Sequence, residues 1–220
     1  MEKIYCFGDS HCNIFREKNT PFIDIFEVYH VGPALAYSLC KEGTKTGARE
    51  KILDKLLDIP KDNYLMFCFG EIDCRLHLFK QSNLQKKTIK RVIYKCVKRY
   101  ISFLKEIKNK GYRVIVFGPI ATTWTRKHLY NQSRSIVGTE EERNKITLEF
   151  NECLGNKCEE ENIIFISIFL ETIKNEYKTN RKLYSKDECH LKVKRKKVFS
   201  LILKEINDKI PDFYYQIENE

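Results

Sequence analysis

Short apolar runs alternate along the chain with longer stretches of helical periodicity. The runs predict β-strands at residues 3–7, 26–29, 64–69, 113–117 and 163–166. Apolar residues spaced three and four apart predict helices at residues 34–40, 48–57, 89–104, 140–154 and 193–210. Strands that alternate with helices form parallel sheets, so we expect an α/β fold. Its predicted form is a three-layer α/β/α sandwich with a mostly parallel sheet of about five strands.

The chain length of 220 residues fits one domain with a substantial core. We expect that domain to occupy residues 1–210 and to be followed by a polar tail at 211–220. Open parallel sheets bind ligands at the carboxyl ends of their strands. The candidate functional segments are therefore 8–13, 70–77 and the turn after Phe117.

The formal net charge of +10 raises the question of an acidic partner. Lysine outnumbers arginine, however, and arginine is the side chain that reads bases and phosphates with two hydrogen bonds. Acidic residues at 140–142 and 159–161 are interspersed with the basic ones. We therefore expect a solvated, lysine-rich surface and no nucleic-acid partner. The basic run 192–197 leaves contact with some other anionic partner open.

Cysteine usage indicates a reducing compartment. The nine cysteines are an odd number without regular spacing, and several lie within apolar strand-like runs, where a free thiol behaves as a small hydrophobe. The sequence begins directly with a strand-like run, without a charged and then apolar leader, and no apolar run approaches the length of a membrane span. We expect a cytoplasmic protein without membrane or disulfide framework.

Ser10 is the candidate nucleophile. It follows the first predicted strand in the string Gly8-Asp9-Ser10, where a glycine permits a tight turn and the hydroxyl can project into the ligand crevice. A serine needs a base within reach, and His190 follows Asp187 by three residues near the end of the chain. That carboxylate can bind the far ring nitrogen of the histidine and fix its tautomer. The alternative for Ser10 taken alone is a helix cap.

Four short blocks together resemble the SGNH/GDSL hydrolases, serine esterases and acyltransferases with a flavodoxin-like sandwich. The resemblance covers residues 4–203 and rests on Gly8-Asp9-Ser10, on Gly32, on Gly70-Glu71-Ile72-Asp73 and on Asp187-x-x-His190. It implies a catalytic triad of Ser10, His190 and Asp187. It also implies an oxyanion hole formed by the backbone N–H groups of Ser10 and Gly32.

One position departs from the family pattern. The family's oxyanion asparagine falls on Ile72, whose side chain cannot donate a hydrogen bond, and losing one such donor costs about 10²–10³ in rate. Arg75 is the expected substitute donor, or else a clamp on an anionic substrate. The string Gly-Glu-Ile-Asp-Cys-Arg at 70–75 resembles a branch associated with polysaccharide modification, which implies a carbohydrate substrate.

The remaining polar residues of the crevice loops are predicted to bind substrate. They are Asp9, His11, Gly70, Glu71, Asp73, Arg75 and His77. For Glu71, Asp73, Arg75 and His77, a buried ion-pair network that holds the loop is an equally good interpretation. The Cys74-x-x-His77 spacing lacks the two further ligands that zinc needs nearby in sequence, so we expect no metal site.

The expected activity is removal of an acyl group, such as acetyl, from a carbohydrate ester, with no cofactor. An O-acyltransferase that takes its acyl group from a donor such as acetyl-CoA needs the same residues and stays open. So does a catalytically inactive carbohydrate-binding module, which Ile72 favours. The aromatics Phe79, Trp124 and Tyr130 flank the predicted crevice and could stack on a sugar. The sequence does not indicate an oligomeric state.

Overall fold

A parallel five-stranded sheet forms the centre of the molecule. The computed structural model describes residues 3–16, 20, 22–123, 137–192 and 196–210. The strands are β1 (Ile4–Gly8), β2 (Phe26–His30), β3 (Tyr64–Cys68), β4 (Arg113–Phe117) and β5 (Ile164–Ile166). Their order across the sheet is β2-β1-β3-β4-β5, and every neighbouring pair is parallel. The predicted α/β fold with a parallel sheet is confirmed.

Seven α-helices lie among the described residues. They are α1 (Phe22–Ile25), α2 (Ala48–Lys55), α3 (Leu78–Gln85), α4 (Ile89–Asn109), α5 (Glu140–Glu160), α6 (Phe169–Thr172) and α7 (Lys196–Lys209). Thr139 caps α5 and forms a capping box with Glu142, which satisfies amide groups at the helix start. Shorter 3₁₀ turns connect the main elements, and one of them, Ser10–Arg16, follows β1 directly.

Alternation along the strands creates the three layers. Successive side chains of a strand point to opposite faces, so Leu65 and Phe67 pack with α4 and α5, whereas Met66 packs with α7 on the other face. The first cluster also takes Ile93, Tyr100 and other residues from the apolar stripe of α4. Two separate apolar cores therefore cover the two faces of the sheet. This arrangement matches the predicted α/β/α sandwich.

The structure corrects the predicted helix at residues 34–40 and adds a helix that was not predicted. Residues 34–40 form only the 3₁₀ turn Ala36–Ser38, because the carboxylate of Asp73 accepts the amide N–H groups of Ala36 and Tyr37 in place of helical carbonyls. The sequence prediction also missed α3 and the π-helical turn Asp73–His77 that leads into it. Among residues 78–85 only Leu78 is buried, so the apolar periodicity there was too weak to indicate a helix.

Two further expectations concern the chain ends and the thiols. The predicted tail at 211–220 and the predicted start of the last helix at 193–195 lie outside the described residues. All nine cysteines are described, and all are free thiols. Within the described part of the chain, no helix combines the length and the apolar character needed to cross a lipid bilayer.

Close packing requires a glycine at position 8. The sequence analysis had attributed this glycine to a tight turn. It pairs with His30 of β2 and Cys68 of β3. A Cβ atom at residue 8 would lie 2.6 Å from Cys12 Cβ and 2.9 Å from the Cys68 carbonyl oxygen. The end of β1 therefore leaves no room for a side chain.

Gly8→Ala is expected to lower the free energy of unfolding by about 1–3 kcal/mol, because backbone must shift to admit the methyl group. Urea unfolding followed by circular dichroism measures this change. A stability within about 0.5 kcal/mol of the parent protein would contradict the packing argument.

Candidate active site

The carboxyl end of β1 positions Ser10. The chain turns into a 3₁₀ helix immediately after the strand, with the Cys12 amide donating to the Asp9 carbonyl oxygen over 3.1 Å. Ser10 therefore stands at the edge of the sheet where the loops after the parallel strands meet. Its hydroxyl lies 2.8 Å from Nε2 of His190, a residue 180 positions away in sequence.

A tight loop holds His190 and Asp187. Tyr184 and Leu191 form an antiparallel bridge, and the Ser185 amide donates to the His190 carbonyl oxygen over 2.8 Å. Inside this loop, Asp187 Oδ2 lies 2.7 Å from His190 Nδ1. Ser10, His190 and Asp187 thus form one chain of hydrogen bonds from hydroxyl through imidazole to carboxylate, the arrangement that a serine nucleophile requires.

Hydrogen bonds keep Asp187 ionised. Partial burial opposes its charge, but the His190 amide, the Ser185 hydroxyl, the Cys189 amide and the His190 ring all donate to the carboxylate. Together they hold the pKa of Asp187 well below its usual value. A carboxylate that stays charged can stabilise a protonated His190 ring.

A second histidine lies beside the first. The rings of His11 and His190 are 4.6 Å apart between centroids. Asp9 Oδ1 accepts from the His11 amide over 2.9 Å and lies 3.0 Å from His11 Nδ1. On its other side, His11 Nε2 lies 3.8 Å from Glu71 Oε2. Burial lowers the pKa of His11, but the negative charges of Glu71 and Asp9 outweigh it and raise that pKa well above its usual value.

Arg75 forms a forked ion pair with Glu71. Its Nε and Nη2 donate to the two Glu71 oxygens over 2.6 and 3.0 Å. Burial of Glu71 raises its pKa, but the charges of Arg75 and His11 outweigh burial and lower it. Of the predicted network, the Glu71–Arg75 pair is present, whereas Asp73 and His77 take no part in it. The Arg75 guanidinium, predicted as an oxyanion donor, is engaged in this pair.

Asp73 fixes the loop that carries Gly32. The Val31 amide donates to the Gly8 carbonyl oxygen over 3.0 Å, which places Gly32, at a φ of 97°, beside the end of β1. Asp73 is 1% exposed, and its Oδ2 accepts from the Ala36 amide over 2.8 Å. Its carboxylate thus binds backbone further along the Gly32 loop, a structural role that the predicted substrate contact did not anticipate.

A cavity of about 240 Å³ opens beside Ser10. Polar side chains on its wall include Asp9, Ser10, His11, Glu71 and His190. Apolar groups complete the wall, among them Ile14, Phe69, Phe117, Pro119, Ile120 and Leu191. The crevice therefore has a polar side around the hydroxyl and an apolar side that can accept a small hydrocarbon group.

Other predicted site residues lie elsewhere. Asp73 and His77 line a second, larger cavity between the Gly32 loop and α4. Burial, together with the nearby charges of Lys80 and Arg75, lowers the pKa of His77. Gly70 is buried, and a Cβ there would lie 2.9 Å from the Phe150 ring. Trp124 and Tyr130 lie outside the described residues.

Solved structures provide the clearest comparison. The sequence matches no protein-family model and no curated protein. A Bacteroides fragilis protein assigned to the acylhydrolases superposes with a TM-score of 0.62 at 14% identity, covering 94% of this chain and 87% of that one. A GDSL-like lipase from Bacteroides thetaiotaomicron superposes with a TM-score of 0.58 at 11% identity, covering 94% and 88%. The chain has the SGNH/GDSL hydrolase fold.

A carbohydrate acetylesterase from Sinorhizobium meliloti has the same fold. It superposes with a TM-score of 0.51 at 14% identity, covering 88% of this chain and 92% of that one. Within this SGNH/GDSL fold, Ser10 follows the first strand and His190 precedes the last helix. The sequence analysis did not single out Cys189, whose sulfur lies 3.9 Å from His11 Nε2. Its position next to His190 in the sequence was the one feature that could have indicated that Cys189 lies at the site.

Asp73→Asn is expected to destabilise the protein most at mildly acid pH. An amide NH₂ would face a backbone N–H group, so we expect the parent to be more stable by about 1–3 kcal/mol near about pH 5. Burial outweighs the amide hydrogen bonds and raises the Asp73 pKa to about 7. A raised folded-state pKa contributes stability that is lost as pH rises through it. The difference in the free energy of unfolding between parent and variant should therefore become smaller towards about pH 8.

Urea unfolding at a series of pH values measures this difference. The exposed residue Asp24 supplies the matched control, and Asp24→Asn should show no such narrowing. A parent-to-variant difference that stays constant or widens as pH rises would show that Asp73 is ionised throughout this range.

Proposed function

We propose that this chain is a serine ester hydrolase in which Ser10, His190 and Asp187 form the catalytic triad. The observation that carries the proposal is the hydrogen-bonded chain from Ser10 Oγ through the His190 ring to Asp187, with distances of 2.8 and 2.7 Å. Its position on the wall of a cavity gives a substrate carbonyl access to the hydroxyl. The SGNH/GDSL fold is consistent with this assignment.

The reaction follows from these contacts. Ser10 Oγ attacks the ester carbonyl carbon while His190 Nε2 accepts the hydroxyl proton. The ester C–O bond then breaks, and His190 returns the proton to the departing alcohol. Water, deprotonated by His190, attacks the acyl-serine. The acyl C–O bond breaks, the acid leaves, and His190 returns the proton to Ser10 Oγ. Asp187 keeps a proton on Nδ1, so that Nε2 presents its lone pair to Ser10.

Backbone amides are the proposed oxyanion donors. The assignment to the N–H groups of Ser10 and Gly32 is supported by the Val31 amide, which donates to the Gly8 carbonyl oxygen and so brings the loop after β2 beside the end of β1. Arg75 is engaged with Glu71 and acts through that ion pair as a positioning residue. Ile72 replaces an amide side chain that would be a third donor. We therefore expect a turnover rate about 10²–10³-fold lower than that of an enzyme whose oxyanion hole has three donors.

The substrate proposed is an acetylated carbohydrate. A cavity of about 240 Å³ with Ile14, Phe117 and Ile120 on its wall suits a short acyl group. The string at residues 70–75 and the fold of the S. meliloti carbohydrate acetylesterase support a sugar as the alcohol. The mechanism needs no cofactor, and nine free thiols suit the cytoplasm, where we place the protein.

Ser10→Ala and His190→Ala are each expected to lower ester turnover by at least about 10⁴-fold, since either change removes the activated nucleophile. A fluorophosphonate probe should label the parent protein once, on Ser10, as read by intact mass and peptide mapping. Ser200→Ala in α7 is the matched control and should label fully. Unchanged turnover in Ser10→Ala would exclude the triad.

The acceptor of the acyl group needs a separate measurement. Hydrolysis predicts free acetate from an acetylated xylo-oligosaccharide, without any saturable binding of acetyl-CoA. Saturable binding of acetyl-CoA, with transfer of its acyl group to a glycan, would instead indicate an O-acyltransferase. Folded protein that neither labels nor turns over an ester would indicate a carbohydrate-binding module.

A further inference from the structure

Three potential metal ligands converge beside Ser10. They are a ring nitrogen of His11, the Sγ atom of Cys189 and a ring nitrogen of His190, and these three atoms lie within 4.8 Å of one another. Each residue is half-buried, so an ion could reach them from the cavity mouth. Because Cys189 and His11 are 178 positions apart, ligand spacing in the sequence could not indicate this cluster.

A carboxylate contacts Nδ1 of each of the two imidazoles. Asp9 Oδ1 lies 3.0 Å from Nδ1 of His11, and Asp187 Oδ2 lies 2.7 Å from Nδ1 of His190. A carboxylate on one ring nitrogen fixes the tautomer that leaves the other nitrogen as a lone-pair donor, as in the carboxylate–histidine–zinc units of metalloproteins. Nε2 of His190 is thereby left as a lone-pair donor, and Nε2 of His11, which faces Glu71, becomes one once that ring gives up its proton.

We propose that His11, Cys189 and His190 bind a zinc ion, and that zinc held there inhibits the hydrolase. The inhibition rests on the proposed function, whereas the binding does not. Two imidazoles and one thiolate are a ligand set that zinc favours, with water in the fourth tetrahedral position. Tetrahedral zinc separates such ligand atoms by about 3.3–3.6 Å, so the present 3.9 Å between Cys189 Sγ and His11 Nε2 needs only a small contraction.

Local charge favours a cation. Asp9, Asp187 and Glu71 surround the three ligands with carboxylates, and Arg75 supplies one opposing guanidinium. On binding, the Cys189 thiol and the protonated His11 ring each release a proton to solvent, and Nε2 of each imidazole forms a bond to zinc. No electron transfer is involved. The lone pair of His190 is then no longer available to take the Ser10 proton.

Zinc affinity is measured first, on the full chain and without a substrate. Competition with a chromophoric chelator should give one tight site per chain. Cys189→Ser should weaken it by at least about tenfold, since even residues that only support zinc ligands cost 10–100-fold when mutated. Cys153→Ser, a half-buried cysteine on α5, is the matched control and should bind as the parent does. Cobalt should add a thiolate charge-transfer band in the parent that Cys189→Ser lacks.

Turnover of a chromogenic acetate ester with added zinc then tests inhibition. We expect zinc to inhibit the parent and Cys153→Ser reversibly, with recovery on adding a chelator. Relative to its own rate without zinc, Cys189→Ser should need at least about tenfold more zinc than the parent for half-inhibition.

Several results would overturn the proposal. Equal zinc affinity in the parent and Cys189→Ser would overturn the site, as would a cobalt complex without the thiolate band. Tight zinc binding with undiminished turnover would overturn the inhibition. Tight zinc binding in a protein that does not hydrolyse esters would support the zinc site and refute the proposed hydrolase. Failure of the zinc proposal and failure of the proposed function therefore give different results.

Discussion

The close contact of β1 with its two neighbours at Gly8 determines where the functional groups lie. Gly8 pairs with β2 on one side and β3 on the other, and a Cβ there would lie 2.9 Å from the Cys68 carbonyl oxygen. Because Gly8 pairs with His30 and Cys68, the last residues of β2 and β3, the loops that follow all three strands start close together. Ser10, Gly32 and Glu71 come from those three loops. A parallel sheet thus turns three distant segments into one crevice.

Much of the fold and part of the site could be predicted from the sequence. All five strands lie within about two residues of their expected bounds, because buried strands leave a clear apolar signal. Ser10, Asp187 and His190 could be selected because each lies in a short block with a recognisable order. Asp73 could not be interpreted, since the amides that it binds belong to residues 36 and 37. A carboxylate that binds distant backbone leaves no local pattern.

The charges around His11 illustrate the same limit. Glu71 and Arg75 are four residues apart, so their ion pair was foreseeable from helical spacing. The contact of His11 with Glu71 depends on the sheet order, which brings the loops after β1 and β3 together. Asp9 Oδ2 is buried and has no hydrogen-bond partner among the described residues. A buried polar atom without a hydrogen bond costs free energy, which indicates that this part of the crevice is organised for more than stability.

Catalysis and metal binding would compete for the same lone pair. A general base needs a neutral imidazole whose far nitrogen is held by a carboxylate, and a zinc ligand needs the same thing. His190 has that support from Asp187. Asp9 contacts Nδ1 of His11 in the same way, but the charges of Glu71 and Asp9 favour the protonated ring, so His11 must release a proton before it can bind zinc. In the proposed hydrolase a single base takes the Ser10 proton, so that step does not need a second imidazole beside His190. His11 and the adjacent thiol of Cys189 would instead complete the proposed zinc ligand set with His190. The contacts that would activate Ser10 would then also make the enzyme sensitive to a divalent ion.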